Sequence, residues 1–186
     1  MNDAEAIAFI RDAVGSRPGA WADLGAGTGT FTKALVAILG ESGSVVAVDR
    51  DPGAVAALQR LARADGSGAR ITGAAGDLDR LTAIPELEGS ELDGVLFANS
   101  LHYLAEPEGA LRSASDLVHE GGRVVIIEYE RERSNPWVPH PLPLRRLRAL
   151  AERAGLQPPE VVARRPSAYQ GELYCAVAFL PLGSPR

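Results

Sequence analysis

Lysine is nearly absent from this chain. Lys33 is the only one among 19 basic residues, and the rest are arginine. The Tyr-x-x-x-Lys pair of a nicotinamide-dependent reductase therefore has no residues to build it. Cysteine is equally scarce. Cys175 stands alone, which excludes an intrachain disulfide and a multi-thiolate metal site, and its place in an alternating apolar run suits a small buried hydrophobe. No eighteen uncharged apolar residues follow one another, and residues 1–10 lack a basic segment leading into an apolar run. A cytoplasmic protein with no membrane partner is the expectation. Net charge offers no general attraction to nucleic acid or anionic lipid, since the formal balance is -5. Internal repeats and low-complexity segments are also missing. With 186 residues and 46% hydrophobic content, residues 1–186 are expected to form a single domain with a substantial core.

Glycine is plentiful and pointedly placed. Trp21-Ala22-Asp23-Leu24-Gly25-Ala26-Gly27-Thr28-Gly29-Thr30-Phe31 reads as a short apolar strand ending in an acid, then three alternating glycines, then a helix. Bare backbone at Gly25, Gly27 and Gly29 permits a sharp turn and close approach of a ligand. The spacing is not the pyrophosphate-binding G-x-G-x-x-G, because the third glycine comes one residue early, and Asp23 would repel a phosphate. An acid there suits an ammonium group.

Strand and helix signals alternate along the rest. Apolar spacing over Asp3 to Val14 marks a lead-in helix within residues 1–18, followed by a strand at Ala20 to Leu24 and a helix at Phe31 to Leu39. Ser44 to Asp49 is a second strand whose apolar run implies burial on both faces, and Asp51-Pro52 caps and opens a helix to Ala64. Further strands fall at Arg70 to Thr72, Leu92 to Ala98 and Arg123 to Tyr129, with a helix from Glu106 to Val118 before the last of these. Residues 131–143 hold four prolines around Trp137 and His140 and are expected to form a stiff lid loop. A helix from Leu144 to Ala154 precedes two segments, Glu160 to Arg164 and Glu172 to Leu180, too close in sequence for a crossover and so expected to pair antiparallel.

Asp49 ends the second strand about twenty residues after the glycine loop, the position from which a carboxylate reaches ribose hydroxyls in such sheets. Asp77 ends the third strand's connection and reads either as a turn acid after Gly76 or as a ligand group.

The segment Asp23-Leu24-Gly25-Ala26-Gly27-Thr28-Gly29, with the strand-ending acids and the final hairpin, resembles the class I S-adenosylmethionine-dependent methyltransferases. The resemblance covers the chain from Trp21 to Leu180. It implies an α/β, Rossmann-like, doubly wound sheet of seven strands, mostly parallel with an antiparallel C-terminal hairpin. It further implies S-adenosylmethionine as cofactor and S-adenosylhomocysteine as product. Asp23, Gly25, Ala26, Gly27 and Gly29 would then cradle the methionine portion, with Asn99 and Ala98 closing over it, Asp49 on the ribose, and Asp77 and Leu78 at the adenine. Arg50 departs from the pattern, standing where relatives often place an apolar residue.

Methyl transfer asks the protein mainly for positioning, with in-line displacement of the methyl group. A chain of this length is expected to build its acceptor pocket from the lead-in helix and residues 99–104, 128–143 and 165–171. His102 and Glu128 are candidate catalytic residues on their place at strand ends. Tyr103, Tyr129, Trp137, His140 and Tyr169 are candidate acceptor contacts. No Asp/Asn-Pro-Pro-aromatic motif follows the fourth strand, no glutamate pair marks an arginine methyltransferase, and Cys175 alone does not support cysteine-based cytosine or arsenic chemistry. A small-molecule acceptor is the function expected. The alternatives are a catalytically inactive interaction module and an RNA or protein methyltransferase. A basic cluster at Arg131, Arg133, Arg145, Arg146, Arg148, Arg153, Arg164 and Arg165 is read as a solvated face, not a nucleic-acid site.

Overall fold

A computed structural model describes residues 1–64, 70–167 and 171–183. The first helix, α1 (Asp3–Val14), starts on a capping box: the Glu5 N–H donates to the Asn2 side chain at 2.9 Å, and the Asn2 N–H donates back to the Glu5 carboxylate at 3.0 Å. Strands β1 (Ala20–Leu24), β2 (Ser44–Asp49), β3 (Arg70–Ala75), β4 (Leu92–Ala98), β5 (Val118–Glu130), β6 (Glu160–Pro166) and β7 (Glu172–Phe179) form one seven-stranded sheet ordered β3-β2-β1-β4-β5-β7-β6. The first five run parallel, whereas β7 pairs antiparallel with both β5 and β6. Helices α2 (Thr30–Leu39), α3 (Pro52–Ala64), α4 (Glu108–Leu117) and α5 (Leu144–Arg153) complete the layers.

Alternation along the central strands divides the core in two. Trp21, Leu96, Val125 and Ile127 pack with Ile10 and Leu35 of α1 and α2, while Phe97, Val124 and Ile126 pack with Leu111 and Leu147 of α4 and α5. Both faces are thus covered, which is why these strands read as unbroken apolar runs. Cys175 is buried on β7, and burial pushes its thiol up to about 12, as fits an inert hydrophobe.

Three elements differ from the sequence expectation. β3 runs on to Ala75, because Gly73, Ala74 and Ala75 pair with Ala47, Val48 and Asp49. β5 begins at Val118, which pairs with Leu92 before a register shift restores pairing at Gly94 and Arg123. The Gly121-Gly122 pair therefore bulges the strand and does not precede it. Between β3 and β4 the chain forms two 3-10 segments, Leu78–Ala83 and Pro85–Leu87, burying Leu81, Ile84 and Leu87 at the three-residue spacing of that helix.

Candidate active site

Gly25, Gly27 and Gly29 all adopt positive φ, at 80°, 56° and 91°. Each is glycine for its own reason. A Cβ at Gly25 would lie 2.4 Å from that of Ser100, whose hydroxyl donates to the Leu24 carbonyl at 2.8 Å, and a Cβ at Gly29 would meet Leu61 at 2.8 Å. Gly27 has nothing within 4 Å, so its bare side opens outward. The loop is tied to the end of β2: the Gly25 and Ala26 N–H groups donate to the Val48 carbonyl, each at 2.9 Å, and the Gly27 N–H donates to Asp49 at 2.8 Å.

Above this loop lies a cavity of about 620 Å³ at the carboxyl ends of the parallel strands. Gly25, Ala26, Gly27, Asp49, Arg50, Asp77, Leu78 and Asn99, the candidates for the cofactor, line it. Asp49 also accepts from the Asp51 N–H at 2.9 Å, and Asp51 caps α3 through the Ala54 N–H. Asp77 caps the first 3-10 segment through the Asp79 N–H while facing the cavity, so its structural and ligand-facing placements coexist. Asp23 and Gly29 do not reach the wall and lie beneath it.

Two buried acceptors in this region lack partners. The Thr32 hydroxyl donates to Asp23 Oδ2 at 2.6 Å, but Asp23 Oδ1 has none, and neither does Asn99 Oδ1, on a residue held at φ 55°. Burial pushes the Asp23 carboxyl up to about 7, opposed by the Thr32 hydrogen bond and reinforced by the charge of Asp49. Orphaned acceptors of this kind are costly unless a ligand supplies donors. An ammonium group supplies both donors and charge, so these residues fit the amino acid tail of S-adenosylmethionine.

The candidate catalytic residues are brought together, but not on the wall. His102 Nδ1 lies 2.7 Å from Glu128 Oε2, the His102 N–H donates to Oε1 at 3.1 Å, and both side chains are buried outside the cavity lining. Strand alternation explains this: Tyr129 takes the cavity face of β5 and Glu128 the opposite one. Tyr103 and Tyr129 do line the cavity, with ring centroids 4.4 and 5.8 Å from that of His102. His102 therefore backs the aromatic wall.

Residues 131–143 do not form the expected lid. Trp137 is 65% exposed and off the cavity, and His140 lines a separate surface opening with Pro139, Pro141 and Arg146. The loop is pinned from below, with Val138 and Leu142 buried, the His140 N–H donating to the His102 carbonyl at 3.0 Å, and the Tyr174 hydroxyl donating to the Leu142 carbonyl at 2.6 Å. Tyr169 lies outside the described residues. Leu173 was missed by sequence reasoning, and Arg165, grouped there with the solvated arginines, lines the cavity. The register could have found them, since Tyr129 pairs with Leu173 and Leu173 with Arg165. Among the described residues no cluster of metal-ligating side chains occurs.

A family model described as a methyltransferase domain matches residues 22–124. Over 70 residues, 38% of this chain, the sequence is 41% identical to the ribosomal RNA small subunit methyltransferase H of Alcanivorax borkumensis, and the matched stretch spans only 22% of that protein. Among solved structures, the fold is similar to an arsenic(III) S-adenosylmethionine methyltransferase from Chlamydomonas reinhardtii (TM-score 0.74, 19% identity, 99% of this chain and 75% of that one). It is also similar to the Burkholderia thailandensis 1,6-didemethyltoxoflavin-N1-methyltransferase, solved with its substrate and S-adenosylhomocysteine (TM-score 0.72, 22% identity, 96% and 78% covered). At these identities the structural likeness is one of fold.

Proposed function

The chain belongs to the class I S-adenosylmethionine-dependent methyltransferases, by the domain match over residues 22–124, and from that premise we propose that it methylates a small-molecule acceptor. The observation that carries the proposal is a single cavity with two unlike ends. Toward β2 and β3 it presents the glycine loop and the acids Asp49 and Asp77; toward β5, β6 and β7 it presents Tyr103, Tyr129 and Leu173. One end suits the cofactor and the other a compact acceptor with an apolar body, within the size range of small-ligand sites.

When bound, S-adenosylmethionine supplies a methyl group already activated on a positively charged sulfur. The chain's own residues hold and orient. Asp49 keeps acceptor capacity beyond its two backbone hydrogen bonds and is assigned to the ribose hydroxyls, with Asp77 and Leu78 at the adenine. Asn99, on the wall, receives the ammonium, and Asp23, buried beneath it, supplies the opposite charge. Arg50 lines the cavity beside Asp49, where a guanidinium can lie on an aromatic face. His102 and Glu128 are positioning residues: their paired hydrogen bonds fix the turn that presents Tyr103.

A second reading, RNA methylation, draws on the 70-residue likeness to a ribosomal RNA enzyme. Local pairing of the arginines weighs against it. Arg145 pairs with Glu132, Arg153 with Glu108 and Arg164 with Glu172, while Arg146 donates to the Pro141 and Ala105 carbonyls. Incubating the protein and methyl-labelled cofactor with separated small-molecule, RNA and protein fractions of a cell extract tests the proposal. Label is expected in small molecules; label in RNA or protein alone would overturn it.

A further inference from the structure

Resting on the small-molecule reading, we infer that the acceptor is an aromatic anion, its ring held by Tyr103 and Tyr129 and its charge by Arg165. The register makes a row across three strands, Tyr129 on β5, Leu173 on β7 and Arg165 on β6, and all three line the cavity. Alternation sends the neighbouring Arg164 elsewhere, to an ion pair with Glu172.

Arg165 is the less satisfied of the two. Its side chain is 29% exposed, and its acid partner is Glu5, in an ion pair at 3.6 Å that is too long for a strong bidentate contact. That acid is already engaged, because Glu5 Oε2 accepts from the Asn2 N–H in the capping box of α1. A planar guanidinium with five donors on a cavity wall matches a carboxylate or another flat oxyanion in a two-pronged fashion. The acids of the cavity, Asp49, Asp51 and Asp77, follow β2 and β3 on the far side of the sheet from β6, so none competes there.

Apart from Ser167, the rest of this end is apolar and aromatic. Tyr103, exposed over half its surface, and Tyr129 offer ring faces and edges against which a planar ring packs favourably, and Leu173 lies between Tyr129 and Arg165 in the row. A neutral aliphatic acceptor would leave the guanidinium with only its long ion pair to Glu5 and the solvent.

The test separates a small-molecule cell extract on an anion exchanger and assays each fraction for transfer of a labelled methyl group. Transfer is expected in retained fractions, to a product with aromatic ultraviolet absorbance. Arg165→Gln should raise the half-saturating amount of that fraction by about tenfold or more, with S-adenosylhomocysteine affinity unchanged as proof of folding. Glu5→Gln, which removes the facing acid, should leave it unchanged or lower it. Equal losses in the two variants would mean that Arg165 only anchors α1, and would overturn the inference. Transfer confined to unretained fractions, or to a product without aromatic absorbance, would overturn it while leaving the small-molecule reading intact. No transfer in any fraction by a protein that binds S-adenosylhomocysteine would overturn both.

Discussion

Asp23 should make both stability and cofactor binding depend on pH, in opposite senses. Its carboxyl is fully buried, and burial raises it from an ordinary 3.8 to about 7. At ~1.36 kcal/mol per unit this corresponds to about 4 kcal/mol. The sign follows from proton counts. In the unfolded chain Asp23 ionises near 3.8, whereas the folded protein keeps the proton until about 7, so between those values the folded state holds more protons. Ligand-free stability therefore falls as pH rises through that window and levels off above it. Between about pH 5 and about pH 8 the Asp23 contribution amounts to about 2–3 kcal/mol. Urea unfolding of the wild type and Asp23→Asn at the two pH values isolates it, since other titrating groups are common to both proteins and cancel. The asparagine retains an oxygen for the Thr32 hydroxyl. Binding should run the other way: an ammonium favours the ionised carboxylate, so wild-type affinity for S-adenosylhomocysteine rises toward pH 7 with release of a proton, and the variant loses that slope. Identical pH profiles of stability and affinity in the two proteins would refute the assignment of Asp23.

Asp49→Ala removes the proposed ribose acceptor and frees the Gly27 N–H, and calorimetry should show S-adenosylhomocysteine bound about tenfold more weakly or worse; unchanged affinity in a folded variant would reject the assignment. Glu128→Ala strips His102 of its two hydrogen bonds to that carboxylate in a buried site, so urea unfolding should show a loss of about 3–5 kcal/mol; a loss below about 1 kcal/mol would mean that the pair positions nothing. Trp137→Ala, at an exposed site off the cavity, should change stability by no more than about 0.5 kcal/mol and leave turnover intact; a large fall in turnover would restore the lid. Mixed RNA in a gel shift should bind weakly at low salt and be released near physiological ionic strength, whereas tight salt-resistant binding would revive the RNA reading.

The sheet was legible because its signals are local. Ser44–Asp49 and Leu92–Ala98 are unbroken apolar runs ending where ligands sit, and the glycines of residues 25–29 mark a turn that L side chains resist. Most of the cavity wall along β1 to β4 follows from that order, since strand ends and their following residues share one rim. The acceptor end was harder. Whether Glu128 or Tyr129 faces the cavity depends on the parity of β5, and Leu173 and Arg165 join the wall only through pairing across the hairpin. The prolines of residues 131–143 signal stiffness but not docking; Val138 and Leu142 anchor that loop against the body and leave Trp137 in solvent.

Titrating S-adenosylhomocysteine and, separately, NAD into the purified wild-type protein in a calorimeter tests the cofactor site most directly. One equivalent of S-adenosylhomocysteine per chain should bind, with no heat from NAD, because Asp23 and Asp49 suit an ammonium and a ribose and repel a pyrophosphate. Saturable binding of NAD, with none of S-adenosylhomocysteine, would contradict the assignment of this cavity.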